Sequence, residues 1–223
     1  MACNLGVTLV TVPSSDKFPV QSQGSAFARK VLQLFGWQYV FLGLPSQQGV
    51  IIGYPHTSNW DFIVMVIVKW ATGLQVQFLA KKSLFNYPLF SPWLRSLGGI
   101  PIDRSSQHGV VGDMLALFAK AKQEGSYLWL ALSPEGTRKF TPGWRSGFYQ
   151  VALHAAVPLC AVRIDYGQKT VDFSRCLHLT GNEMADYAEL AKAFEGVKGF
   201  HMNQAAPIQP IKSTSALGSS HTP

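Results

Sequence analysis

Gly49-Val-Ile-Ile-Gly-Tyr-Pro-His-Thr-Ser-Asn-Trp-Asp61 decides how this chain is read. Its first five residues form a strand-like run, and an imidazole and a carboxylate follow, five positions apart. A helix carrying both His56 and Asp61 would set them roughly 140° apart at about 3.6 residues per turn. They meet only if His56 lies on a loop and Asp61 stands near the start of the next helix. Ser58 and Asn59 suit that turn, because their side chains bond their own backbone. A histidine so held by a carboxylate keeps one tautomer and can take a proton from a hydroxyl. A loop at the carboxyl end of a strand is also where open α/β sheets bind their ligands.

Outward from this stretch, strand-like and helix-like segments alternate. Upstream, residues 26–42 read as a helix with Phe27, Val31, Leu34, Phe35 and Leu42 near one face. Trp37 and Tyr39 are residues suited to a membrane–water boundary, so both core packing and interfacial anchoring fit this helix. Downstream, residues 62–68 are seven apolar residues, which periodicity alone leaves between a strand and a buried helix. A strand at 76–80, a short helix or loop at 88–97 and a strand at 100–102 follow. Residues 110–124 form an amphipathic helix stopped by Gly125. Then come a strand at 127–132, a helix at 147–155, a strand at 158–164, an edge strand at 169–173 and a helix at 186–194. This alternation predicts a single α/β domain with a mixed, largely parallel sheet covered by helices. It occupies residues 26–210, between a loose lead-in at 1–25 and a disordered tail at 211–223.

Composition narrows the function. With 47% hydrophobic and 14% charged residues, the chain is not a disordered one. Its net charge of +7 calls for an anionic partner. No basic stripe with interleaved aromatics appears, so no nucleic acid is expected and a membrane surface fits better. No apolar run approaches the roughly 20 residues needed to span a bilayer, and residues 1–24 lack the pattern of a signal peptide. Cys3, Cys160 and Cys176 are odd in number and lack metal-ligand spacing. They suggest a reducing compartment, with Cys160 as a small buried apolar filler. The expectation is a cytoplasmic protein, peripheral to the cytoplasmic face of a membrane.

Three further blocks follow the first in order: Gly98-Gly-Ile-Pro-Ile-Asp-Arg104, Ser133-Pro-Glu-Gly-Thr-Arg-Lys139 and Val157-Pro-Leu-Cys-Ala-Val-Arg-Ile164. With the His-x4-Asp stretch, the set resembles the PlsC-like glycerolipid (lysophospholipid) acyltransferases across roughly residues 49–165. The resemblance implies a glycerolipid acyltransferase-like fold with a helix over 62–68. It implies His56 and Asp61 as the catalytic pair, and Arg104, Glu135, Gly136, Thr137 and Arg138 as the acceptor phosphate-binding set. It places the fourth block near the acyl donor. The implied reaction moves a fatty acyl group from acyl-CoA or acyl-carrier protein to the hydroxyl of a lysophospholipid-like acceptor. No metal and no bound cofactor are called for.

The residues themselves say as much about roles. A planar guanidinium suits bidentate phosphate binding, which fits Arg104 and Arg138. Glu135, an anion, is an odd phosphate contact and suits a supporting role, orienting a donor or an arginine. Gly98 and Gly99 would let the backbone pass close to a ligand. Lys139 and Arg145 read as solvated surface, and Phe85, Tyr87, Phe90 and Trp93 as core packing ahead of an acyl groove. His108, His154, His178 and His201 read as structural or exposed. No Gly-x-Ser-x-Gly elbow exists, which agrees with direct attack by the acceptor and no acyl-enzyme. Two positions depart from the family pattern: Pro55 stands where Asn is common, and Ser133 where Phe is common. Relatives often carry transmembrane helices, which this sequence does not suggest. A lipid-binding protein without turnover and a thioester hydrolase are the alternative readings.

Overall fold

The computed structural model of the chain describes residues 18–102 and 109–211. At its centre lies β2 (Gln48–Tyr54), whose Val50 and Ile52 are buried on one face and Ile51 on the other. A strand covered on both faces loses the polar alternation of a surface strand, which is why this run reads as continuously apolar. Around it stand β1 (Gln38–Val40), β3 (Gln77–Lys81), β4 (Gly99–Ile102), β5 (Leu128–Leu132), β6 (Leu159–Asp165) and β7 (Thr170–Leu177). The order across the sheet is β1-β7-β6-β2-β5-β3-β4. Every neighbouring pair is parallel except β6 and β7, so the sheet is mixed and largely parallel, as expected.

Helices cover both faces. On one side α1 (Ala26–Leu34) and α2 (Asn59–Thr72) pack over Ile51, Trp129, Cys160 and Val162. On the other, α4 (Gly109–Glu124), α5 (Gly147–His154) and α6 (Glu183–Ala193) pack over Val50, Ile52, Leu130 and Leu159. The short α3 (Phe90–Ser96) precedes β4. Gly49 is the register partner of Trp129, and a Cβ there would fall 2.3 Å from the indole. The missing side chain lets Trp129 lie flat against β2, where it is fully buried.

Several details differ from the sequence expectations. The helix expected over 26–42 ends at Leu34, because Gly36, with φ 74°, turns the chain and residues 38–40 pair with β7. Its expected apolar face does not face the core: Ala28 and Leu32 are buried, whereas Phe27, Phe35 and Leu34 (81% exposed) point outward. Trp37 is buried edge-on against Tyr166 and is not at a boundary. β7 is not an edge strand, since β1 lies beyond it. Residues 18–25, expected to be loose, are pinned: Val20 bridges Leu44, and the Ser22 hydroxyl donates to Thr72 O at 2.7 Å. Tyr87, Phe90 and Trp93 are exposed and do not pack in the core.

Gly98 and Gly99 approach the protein's own backbone. A Cβ at Gly98 would lie 2.4 Å from Val76 O, and one at Gly99 would lie 2.7 Å from Leu94 O. Cys160 is buried as expected, but it is disulfide-bonded to Cys176. The two are register partners on the antiparallel strands β6 and β7, with Cα atoms 4.0 Å apart. Directly opposed residues of an antiparallel pair share a face, so the thiols meet. With two of its three cysteines paired, the chain does not carry the unpaired thiols from which a reducing compartment was expected. Among the described residues, no helix is long and apolar enough to cross a membrane.

Candidate active site

The chain leaves β2 at Tyr54 and passes Pro55, His56 and Thr57 before α2 begins at Asn59. Ser58 caps that helix with extended backbone (φ −144°, ψ 159°), its hydroxyl accepting the Trp60 amide at 3.1 Å. Asp61, in the first turn, completes the capping box by accepting the Ser58 amide at 2.8 Å. The same carboxylate oxygen, Oδ2, accepts the Thr57 amide at 2.8 Å and lies 3.3 Å from Nδ1 of His56. The geometry inferred from spacing is thus realised: the histidine is on the loop and the carboxylate caps the helix. One acid serves as both helix cap and partner of the imidazole.

Asp61 is 1% exposed and the His56 side chain 23% exposed. Burial alone would raise the Asp61 pKa, but bonds from His56, the Ser58 amide and Tyr166 outweigh it and leave the carboxyl below its usual range. A charged acceptor at Nδ1 favours the tautomer protonated there, which leaves Nε2 free to accept a proton. Oδ1, the second oxygen of Asp61, takes the Tyr166 hydroxyl at 2.8 Å.

Glu135 lies behind this loop. Pro134 and Glu135 enter a turn in which Gly136 (φ 66°) donates its amide to Ser133 O at 3.1 Å. Left-handed backbone suits glycine there. A Cβ on Gly136 would also sit 2.8 Å from Cδ and Nε of Arg145, so that arginine lies across the turn. The Glu135 carboxylate is 1% exposed; Oε2 accepts the His56 amide at 2.6 Å and Oε1 the Ala206 amide at 2.9 Å. The resemblance groups it with the acceptor phosphate-binding residues; in the structure its two oxygens meet the backbone amides of His56 and Ala206. Burial raises its pKa, against the opposing pull of those two bonds. Thr137 is half-buried, its hydroxyl accepting the Lys139 amide at 3.3 Å, while Gly136, Arg138 and Lys139 are exposed. Arg104 lies outside the described residues, as does His108.

The segment after α6 closes over the site. The His201 amide donates to the Thr57 hydroxyl at 3.1 Å, and the Tyr54 hydroxyl donates to Ala206 O at 2.9 Å. Burial, then the charge of Glu135, push the Tyr54 phenol up to about 12, so it stays a donor. The hydrogen-bonding pattern sets the Gln204 amide nitrogen 3.2 Å from Thr57 O and 2.6 Å from Arg138 O. His56, Asp61 and Glu135 are therefore joined directly, and Arg138 is joined through its backbone. Tyr166, Gln204 and the 201–206 segment were not found from the sequence. Tyr166 had one signal, its place two residues past the fourth block; Gln204 and Ala206 had none.

The chain matches the family model described as Acyltransferase over residues 42–165, more than half its length. It is 36% identical over 64 residues to a 1-acyl-sn-glycerol-3-phosphate acyltransferase of Streptococcus pneumoniae (strain ATCC BAA-255 / R6). That stretch is 28% of this chain and 24% of the relative, so the chain matches about a quarter of that protein's length. Among solved structures it is similar to PlsC, the 1-acyl-sn-glycerophosphate (LPA) acyltransferase of Thermotoga maritima. There the TM-score is 0.49 and the identity 16%, over 76% of this chain and 74% of that one.

Proposed function

Because the chain belongs to the Acyltransferase family, we propose that it is an O-acyltransferase acting on the hydroxyl of a lysophospholipid-like acceptor, with acyl-CoA or acyl-carrier protein as donor. The observation that carries the reading is the His56–Asp61 pair at the end of β2, clamped at Nδ1 and partly open to solvent. A neutral hydroxyl is a poor nucleophile, and a placed histidine typically contributes ~10²–10⁴-fold by removing its proton in the transition state. Nε2 of His56 takes that proton as the acceptor oxygen bonds to the thioester carbonyl carbon. The tetrahedral intermediate collapses, the carbon–sulfur bond breaks, and the thiolate leaves with the proton from the imidazolium. Asp61 stabilises the imidazolium in between. No enzyme-bound acyl group is required.

Arg138, exposed beside the loop, and Arg104 supply cations for an acceptor phosphate. Glu135 acts through the loop, holding the His56 amide. No bound cofactor takes part in this scheme. An amphiphilic acceptor is met at a bilayer surface, and the outward Phe27 and Leu34 of α1 with Trp60 and Trp70 of α2 favour approach to that surface. The net charge of +7 favours anionic lipid in the same way.

The test is thiol release from a long-chain acyl-CoA with and without lysophosphatidic acid, for the native protein and His56→Ala. Acceptor-dependent release that falls at least about 100-fold in the variant is expected. Release that ignores the acceptor would favour a hydrolase. No release from acyl-CoA or from acyl-carrier protein would sink the transferase reading and favour a lipid-binding protein.

A further inference from the structure

We propose that Tyr166 is a positioning residue of the catalytic pair: through Asp61, its hydroxyl fixes the His56 imidazole for proton abstraction. The proposal rests on the reading of His56 as the base. Tyr166 follows directly on β6, the strand beside β2, and so stands at the same end of the sheet as the His56 loop. Its hydroxyl donates to Oδ1 of Asp61 at 2.8 Å, opposite the oxygen that receives Thr57, Ser58 and His56.

A carboxylate held at one oxygen can still twist about its Cβ–Cγ bond, and one held at both cannot. The backbone amides locate Oδ2, and the phenol sets the plane in which Oδ2 meets Nδ1. The residue is itself fixed from two parts of the chain, the ring by Trp37 and Phe200 and the backbone by Lys198. Trp37 packs edge-on at 5.0 Å and 88°, and Phe200 at 5.2 Å and 80°. The Tyr166 amide donates to Lys198 O at 2.7 Å. Burial, then the bond to Asp61 and its charge, push the phenol pKa upward, so the hydroxyl keeps its proton and serves as donor. It touches Asp61 and not the reacting atoms, and a bond to a buried carboxylate has more consequence than one to an exposed carboxylate.

The experiment is Tyr166→Phe, which keeps the ring against Trp37 and Phe200 and removes only the hydroxyl. Steady-state kinetics with acyl-CoA and lysophosphatidic acid should show kcat reduced about 10-fold, with both KM values within about twofold of native. Nitrogen-15 spectra of imidazole-labelled protein should show the His56 signal, assigned by its loss in His56→Ala, moving from the Nδ1-protonated form toward a mixture of tautomers. Unchanged kcat overturns the proposal, and so does a fall in kcat with an unchanged His56 tautomer. If the native protein transfers no acyl group, the base reading alone has failed. The tautomer comparison then decides Tyr166, an unmoved signal refuting it and a shifted one supporting it.

Discussion

Replacing Glu135 with glutamine separates a residue that grips substrate from one that holds the His56 loop. Two amides converge on this carboxylate, His56 N–H at 2.6 Å and Ala206 N–H at 2.9 Å, and the side chain is almost wholly buried. Glutamine offers one carbonyl oxygen for the two, and its NH2 group then faces the other amide donor to donor. One buried donor is orphaned, at about 1–3 kcal/mol, and the surviving bond loses charge assistance worth about 1 kcal/mol. Burial raises the Glu135 pKa, so the native anion carries a desolvation cost that glutamine avoids, offsetting part of the loss. A net destabilisation of about 2 kcal/mol remains, which for a chain of this size lowers Tm by roughly 4–8 °C. Loosening the His56 backbone should lower kcat about 10-fold while leaving the acceptor KM unchanged. Thermal unfolding and steady-state kinetics on Glu135→Gln measure both. An acceptor KM raised tenfold, with kcat and Tm preserved, would place the carboxylate on the acceptor and refute the reasoning.

Asp61→Asn should expose a pH-dependent share of stability. The folded carboxyl is held below its usual range although burial opposes this, so ionised Asp61 stabilises the fold. That contribution is complete above the unfolded value of about 3.9 and is lost as pH falls through the lower folded value. The native protein should lead the variant in urea unfolding at pH 7, with the gap closing below about pH 4; a constant gap over that range contradicts the assignment. Gly136→Ala should cost about 1–2 kcal/mol for left-handed backbone, plus a contact 2.8 Å from Arg145 Cδ and Nε. Adding Arg145→Ala should recover only the steric share, and full recovery in urea unfolding would show that the backbone is not strained.

The part of the site legible in the sequence was the part made by local chemistry. Ser58 and Asn59 are turn-forming residue types, and with Asp61 near a helix start they let His56 and Asp61 be read together. β2 was legible because a strand covered on both faces is apolar throughout. The end of α1 was harder, since Gly36 is followed by the apolar run Tyr39-Val-Phe-Leu42, which suits helix and strand alike. Reading that run as helix removed β1 and made β7 look like an edge. The disulfide had only a partial signal: Cys160 and Cys176 flank a hairpin turn at 166–169, but they face each other through a register shift between Ala161 and Arg163. Glu135 gave away its importance but not its partners. Both are backbone amides, which every residue but proline supplies, so His56 and Ala206 carried no mark of the pairing.

Residues 201–206 lie beyond the span that matches the family, yet they supply the Thr57 hydroxyl and the second oxygen of Glu135 with their amides. During synthesis, then, the His56–Asp61 pair is made early and supported late. A chain elongated to residue 197 would already contain His56, Asp61 and Glu135, but the amides of His201 and Ala206 would not yet exist. The loop around the histidine would wait on residues 201–206 to be fastened. Order of synthesis thus separates having His56, Asp61 and Glu135 from having them fastened together.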